Sequence, residues 1–513
     1  MKNAWIVTVA TLLCTATCAA ETPGKPPKIN PGETWTLSED LILKGADILE
    51  VNGTKEKPCA IIGNGHQVMT DGDRTGLVKI TYCTVKQLGK EAEISGGRTS
   101  RQFPAFDLSA TGNSEIIFEH CTFDGSSSVA IANWGNSTTR FCNNVMLENC
   151  IARADKDPGL CAGGFYAKGN SPAKKAFQGN RIYIMGATFE GPHWLIGGDT
   201  DAESNIVIGL RAGIIVLQGE GVVIKHNYVH VLLPVDDKRP YWSQATTLYP
   251  VGDTSENVIR SGHWIVQNVR GDFHDNLVTE VHGHNWLRFG QGKIHHNIFA
   301  HVCPTPDRWP DNVAISSNSG IFAVYKTDRL EVYNNVLDGG NVLPCAVEIP
   351  QDCSIPSFRN NVVYGFALGV HPRYYVDKTT AATPPDRLDY ADYNCFFNPK
   401  GTCHNYGVGV AGKKEKLDDG FARHDLPVGG QKDAQVDPKF KGPLPDKFPF
   451  SDEDVKSGKV TVSQILKFYR DAYSPAPGSP LLGAGDPADG AGTDIGAVQL
   501  TPLKLLTPPA KMK

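Results

Sequence analysis

Apolar residues in this chain come in short runs, and turn residues interrupt them. Leu41-Ile42-Leu43, Ala60-Ile61-Ile62 and the stretch from Leu77 to Val85 are divided by Gly, Asn and Asp. No sustained helical period occurs before about Thr461. Runs of this length, bounded in this way, predict strands. A finer pattern lies on top of them: an apolar residue, then Asn or a small residue three positions later, then another apolar one after two more. It reads Ile80-x-x-Cys83-x-Val85, Phe118-x-x-Cys121-x-Phe123, Met146-x-x-Asn149-x-Ile151, Ile184-x-x-Ala187-x-Phe189 and Ile224-x-x-Asn227-x-Val229. It continues as Phe273-x-x-Asn276-x-Val278, Ile294-x-x-Asn297-x-Phe299, Val332-x-x-Asn335-x-Leu337, Phe358-x-x-Asn361-x-Val363 and Ala391-x-x-Asn394-x-Phe396.

Such self-similarity predicts a solenoid, and strands without intervening helices make it a β-solenoid. The closest of these copies, Asn276 and Asn297, are 21 residues apart. Wider spacings elsewhere imply loops inserted between coils. Asn tolerates left-handed backbone and can bond the next coil, so it is expected at the bend between two strands, stacked into an internal ladder. Gly407 to Lys459 breaks the repeat and reads as a long loop or capping segment, and Thr461 to Tyr473 reads as one short helix.

The repeats resemble the right-handed parallel β-helix of the pectate-lyase-like superfamily. The tail motifs Asp437-Pro438-Lys439-Phe440, Ser479-Pro480-Leu481-Leu482-Gly483-Ala484-Gly485 and Thr493-Asp494-Ile495-Gly496-Ala497 are similar to the ends of many exported bacterial β-helix proteins, polysaccharide lyases among them. The resemblance spans about residues 34 to 500. It implies an all-β chain: a single-stranded right-handed parallel β-helix with inserted loops and a C-terminal cap. The superfamily holds lyases, hydrolases, epimerases and binding proteins, so the resemblance is specific for fold and weak for reaction.

The first twenty residues read as an export signal, with Lys2, an apolar run from Ala4 to Leu13, and Ala19-Ala20 before Glu21. That run is too short to span a bilayer, and no later stretch is a membrane helix. A lipoprotein signal through Cys18 is the alternative, although Thr15 replaces the larger aliphatic residue usual there. The expected location is secreted or periplasmic. The expected division is residues 1–20 signal, 21–33 linker, 34–406 β-helix and 407–513 C-terminal cap. A net charge of −5 on 513 residues, with no basic run, points away from nucleic acid. Of 13 cysteines, Cys14 and Cys18 fall in the signal, leaving 13 − 2 = 11, an odd number that leaves at least one thiol free or paired between molecules. Cys345 with Cys353, and Cys395 with Cys403, have loop-stapling separations, while Cys83, Cys121 and Cys395 also suit small buried positions.

The densest candidate chemistry is Val281-His282-Gly283-His284-Asn285-Trp286-Leu287-Arg288-Phe289. Read as a strand, it puts His282, His284, Trp286 and Arg288 on one face and Leu287 and Phe289 on the other. On a solenoid, the two residues before each ladder Asn form columns. The first is Lys225, His274, His295, Tyr333, Arg359; the second is His226, Asp275, His296, Asn334, Asn360. These are expected as adjacent polar rows on the outside. Trp286, Trp242 and Trp264 are candidate sugar-stacking platforms, with Lys225, His274 and His295 as polar contacts.

A uronate lyase needs a cation to quieten the carboxylate and a base for the α-proton. Arg288 supplies the first, and His282, His284 or Lys293 the second. The family usually employs Lys or Arg as base, often with Ca2+, and no segment here matches those signatures residue by residue. A glycosidase needs two carboxyls, and Asp199, Asp201, Asp236 and Asp237 are the candidates. A metal held by His274, Asp275, His295 and His296, with Asp272, is a third arrangement, and calcium on loop acids a fourth. The favoured reading is a polysaccharide lyase on an acidic glycan. A glycoside hydrolase and a non-catalytic glycan-binding protein stand as alternatives.

Overall fold

The computed structural model describes residues 26–500 except 73, 96–97, 110–113, 128, 149, 151–163, 170–171, 210–211, 233–243, 263–265, 282–286, 302–321, 324–328, 342–344, 350–354, 373–387, 410–420 and 424–429. The expected signal segment therefore lies outside the described residues. So do His282, His284, Trp286, Trp242, Trp264, Asp236, Asp237 and Cys353.

Each coil is built from three strands. One coil runs Ile131–Asn133, Thr138–Cys142 and Val145–Met146, and each strand pairs in parallel with its counterpart in the next coil: Ile131 with Phe165, Arg140 with Ala176, Val145 with Arg181. The third strands make a 14-stranded sheet, Thr34–Thr36 through Cys395–Phe397. Stacked parallel strands and few helices make this a right-handed parallel β-helix, as the repeat predicts. Alternate residues point inward. Phe118, Phe141, Phe165, Phe177 and Phe189 are fully buried and meet in sequence, with ring centroids 5.9, 5.3, 5.7 and 4.8 Å apart. Each such side chain contributes about 2–3 kcal/mol by burial.

The Asn ladder exists, with a correction to its geometry. Asn144, Asn180, Asn205, Asn227, Asn257, Asn276, Asn297, Asn335, Asn361 and Asn394 are all buried. Asn276 is typical: its Nδ2 donates to Thr254 O at 2.9 Å and Asn297 Oδ1 at 3.0 Å, while its own Oδ1 accepts from the backbone N–H of Asn257. The left-handed residue is not the ladder Asn but the one before it. His226, Asp275, His296, Asn334 and Asn360 have φ of 60, 57, 56, 53 and 55°. The ladder side chain must point into the core, so the chain reverses one position earlier. Two sequence copies were out of register. Asn144 and Asn180 fill the places that Met146-x-x-Asn149 and Ile184-x-x-Ala187 suggested, and Asn205 and Asn257 complete the row.

The C-terminal segment packs along the side of the helix. Helices α1 (Asp452–Lys456) and α2 (Val462–Ala472) place Val455, Ile465, Tyr469 and Tyr473 against outward residues of the third sheet, including Ile206, Tyr228, Val258, Leu277 and Ile298. Thr461 caps α2 with a reciprocal capping box through Gln464, so this helix lies where the sequence puts it. The third-sheet strands beneath are buried on both faces, hence their continuous apolar runs, as in Ile206-Val207-Ile208. Cys395 and Cys403 are not bridged; both are buried free thiols, and burial pushes each up to about 12.

Candidate functional site

In the middle coils the first two strands fuse into single long ones: Ala212–Lys225, Gln244–Ser255, Val266–His274 and Leu287–His295. The corner is turned by stacked glycines. A Cβ on Gly252, Gly271 or Gly292 would lie 2.0, 2.0 or 1.9 Å from a carbonyl oxygen of the preceding coil. Only glycine lets the backbones approach this closely.

Register then sets the rows. Gln267 pairs with Arg288; Arg270 with Gln291 and then Arg329; Asp253 with Asp272, Lys293 and Glu331. Lys293 is exposed. Arg270, Arg288, Lys293 and Arg329 thus fall on three successive coils beside the glycine corner. Arg270 and Arg329 were not singled out from the sequence. Only the register, through unequal loops, reveals them.

The first sequence column is a real row. Ser255, His274, His295, Tyr333 and Arg359 are successive register partners, with Lys225 next to Ser255. His274 stacks on His295 with centroids 4.9 Å apart, His295 on Tyr333 at 4.8 Å, and the Arg359 guanidinium lies 4.6 Å from the Tyr333 ring centre. His274 Nδ1 bonds Asp275 at 2.8 Å, and its Nε2 sits 3.0 Å from Asp253. Burial opposes its charge, but the two carboxylates prevail and raise it to about 9. Burial, then His296 and His274, push His295 down to about 3. Asp253 was missed because its repeat copy, Thr254-x-x-Asn257-x-Ile259, went unread.

The second column is not an open row, because the C-terminal segment covers it. Arg470 bonds Asp275 at 2.8 Å, Asn334 donates to Asp494 O at 2.9 Å, and Asn360 to Asp489 at 2.9 Å. His226 Nε2 lies 3.0 Å from Asp201, whose carboxylate also accepts from Ser463 N at 3.1 Å. The imidazoles of His295 and His296 face each other, Nδ1 to Nδ1 at 2.8 Å. Among the described residues, no group of three or more His, Cys, Asp or Glu is arranged to hold a metal ion.

Asp199 pairs with Lys225 at 2.5 Å. Its hydrogen bond to Lys225 holds Asp199 below the usual carboxylate range. Burial opposes the charge of Asp201, but hydrogen bonds from Ser463 and His226 hold it low as well. A glycosidase acid needs the opposite shift, so these two described carboxylates do not suit that role. Arg288 lies in the strand Leu287–His295, opposite Gln267.

No family model matches the chain, and no curated protein matches it. Among solved structures it is similar to a mutant of the PL6-family alginate lyase AlyGC, at 14% identity and a TM-score of 0.29, over 80% of this chain and 53% of that one. The match thus spans about half of that lyase. It is also similar to a mannuronic-acid-specific family 6 polysaccharide lyase from human gut microbiota, at 13% identity and a TM-score of 0.25, over 74% and 78% of the two chains. The coil register, rather than these distant likenesses, defines the architecture: a right-handed parallel β-helix.

Proposed function

We propose that this is an exported polysaccharide lyase, secreted or periplasmic, that cleaves a uronate-containing glycan by β-elimination at the glycine corner. The observation that supports it is the clustering of Arg270, Arg288, Lys293 and Arg329 on three adjacent coils. An arginine opposite the uronate carboxylate stabilises the charge that develops when the α-proton leaves. Its planar fork suits a carboxylate. Lys293, or an imidazole from His282 or His284, takes the proton. The C4–O4 bond then breaks, the leaving oxygen is protonated, and a C4=C5 double bond forms. The stacked His274, whose two ring nitrogens meet Asp275 and Asp253, and His295, whose Nδ1 meets His296, hold the neighbouring strands rather than the substrate.

The test is purified mature protein on a panel of uronate polysaccharides, following ultraviolet absorbance of the new double bond and reducing ends in parallel, with calcium and with chelator. Unsaturated product is expected, falling by about 100-fold or more in Arg288→Ala and Lys293→Ala. Reducing ends without unsaturation would overturn the lyase reading, and silence on every substrate would favour a glycan-binding protein.

A further inference from the structure

The outer surface of the early coils carries an aromatic cleft that the proposed reaction does not use. The first strands Leu41–Lys44, Val68–Asp71, Phe106–Leu108, Ile131–Asn133 and Phe165–Lys168 stack there, and their outward row runs Ile42, Met69, Asp107, Ala132, Tyr166. Trp134 follows the fourth strand and folds back over this row. It is 48% exposed, unusual for so large an apolar group, and Ile42 is 45% exposed. The indole is nevertheless fixed. Its Nε1–H donates to Asp107 Oδ1 at 2.7 Å, and its ring lies 4.5 Å from that of Tyr166. In front is a cleft of about 610 Å3, bounded by Ile42, Met69 and Trp134 and by the polar groups of Thr70, Asp71, Asp107 and Ser109.

We infer that this cleft is a binding site for a neutral pyranose chain, separate from the reaction site. A ring held rigidly by a hydrogen bond and a neighbouring aromatic keeps its exposed face without ordering cost on binding. Such a face suits the C–H face of an equatorial pyranose, and hydroxyls and carboxylates around it suit sugar hydroxyls. Asp71 is paired with Lys44 at 3.6 Å, but Asp107, which meets the neutral indole N–H of Trp134, opposes a second negative charge, so a uronate chain is disfavoured here. Trp134 and Arg288 stand on first strands six coils apart, about 29 Å at the inter-strand spacing. The site can therefore tether the protein to a neutral component of a mixed polysaccharide while the glycine corner engages the acidic one.

The experiment is titration calorimetry of the intact mature protein with cellohexaose, mannohexaose and a uronate hexamer. Binding of a neutral hexaose is expected, weakened about ten-fold or more in Trp134→Ala and retained in part in Trp134→Phe, with both variants checked for the wild-type circular dichroism spectrum. Asp107→Asn keeps the fold and the ring but alters the acceptor, and is expected to weaken binding less than Trp134→Ala. No binding by either neutral hexaose, equal binding in Trp134→Ala, or uronate binding that Trp134→Ala abolishes would each overturn the site. Trp134→Ala is expected to leave turnover of a purely acidic substrate unchanged. Loss of the lyase reading alone leaves the neutral-sugar binding intact.

Discussion

His274 and His295 stack with planes within 1° of parallel and centroids 4.9 Å apart, yet they prefer opposite charge states. His274, between Asp253 and Asp275, is held protonated up to about 9, against burial. His295, driven by burial and by the His296 and His274 imidazoles, stays neutral down to about 3. The two titrate as a linked pair. One fixed cation beside one neutral ring avoids repulsion in the stack and leaves Asp253 and Asp275 compensated.

The pair's contribution to stability should therefore peak near pH 6.5. A raised histidine gives stability that is fully present below its unfolded value, about 6.5, and lost as pH rises through about 9. A lowered one gives stability that is lost as pH falls from about 6.5 towards 3, because the unfolded chain binds a proton that the folded chain refuses. The groups facing the pair are Asp253, Asp275, His296, Lys293 and, from α2, Arg470. Urea midpoints of wild type and His274→Gln, measured from pH 5 to 10, should differ by about 2–3 kcal/mol near pH 6 and converge above pH 9. A difference that does not change with pH would show that the carboxylates do not hold the charge.

The ladder ends in a carboxylate, and this makes a second prediction. Asp433 Oδ1 accepts from the backbone N–H of Asn394 at 2.8 Å, and Oδ2 from Tyr406 at 2.8 Å. Burial raises Asp433 to about 6, despite these hydrogen bonds. The folded state therefore binds its proton more tightly than the unfolded one, and stability falls as pH rises from about 4 to 6. Asp433→Asn continues the ladder with a neutral acceptor. It should stabilise by up to about 2 kcal/mol at pH 7 and by little at pH 4, read from denaturant midpoints. Equal effects at both pH values would place the cost in packing rather than charge.

What the sequence revealed follows from what is local. The ladder motif confines an inward Asn and its apolar flanks to six residues, so Asn276, Asn297 and Asn335 were readable. Cys121 holds an Asn place in register, its N–H donating to Asn144 Oδ1, but the matches Met146-x-x-Asn149 and Ile184-x-x-Ala187 compete with the true copies and hide Asn144 and Asn180. The covering of Asp275 by Arg470 joins residues 195 apart in the chain, and no periodicity announces such a contact. Separations of 129 and 160 residues likewise hide the contacts of Asp489 with Asn360 and of Asp494 with Asn334. The Trp134 cleft was equally invisible, because a single Trp after a strand carries no signal until Asp107 and Tyr166 are brought beside it.

The glycine corner allows the candidate site to be probed without touching a candidate catalytic group. Gly271 and Gly292 have φ of +136 and +130°, and a Cβ on either would meet backbone oxygen at 2.0 or 1.9 Å. Backbone cannot yield as a flexible side chain can, so Gly292→Ala must push two coils apart. Arg288 and Lys293 lie on either side of Gly292 in one strand, and the proposed elimination would depend on their separation across the bend. Gly340→Ala is the control: its φ of +55° carries strain of about 1–2 kcal/mol, but nothing lies within 4 Å of the new Cβ. Gly292→Ala should destabilise by more than Gly340→Ala and, in molecules that remain folded by circular dichroism, lower kcat on the uronate substrate by about 100-fold, while Gly340→Ala keeps wild-type kcat. Equal kcat in the two variants would mean that the corner is spectator scaffold, and that the reacting groups must be sought on another face of the helix.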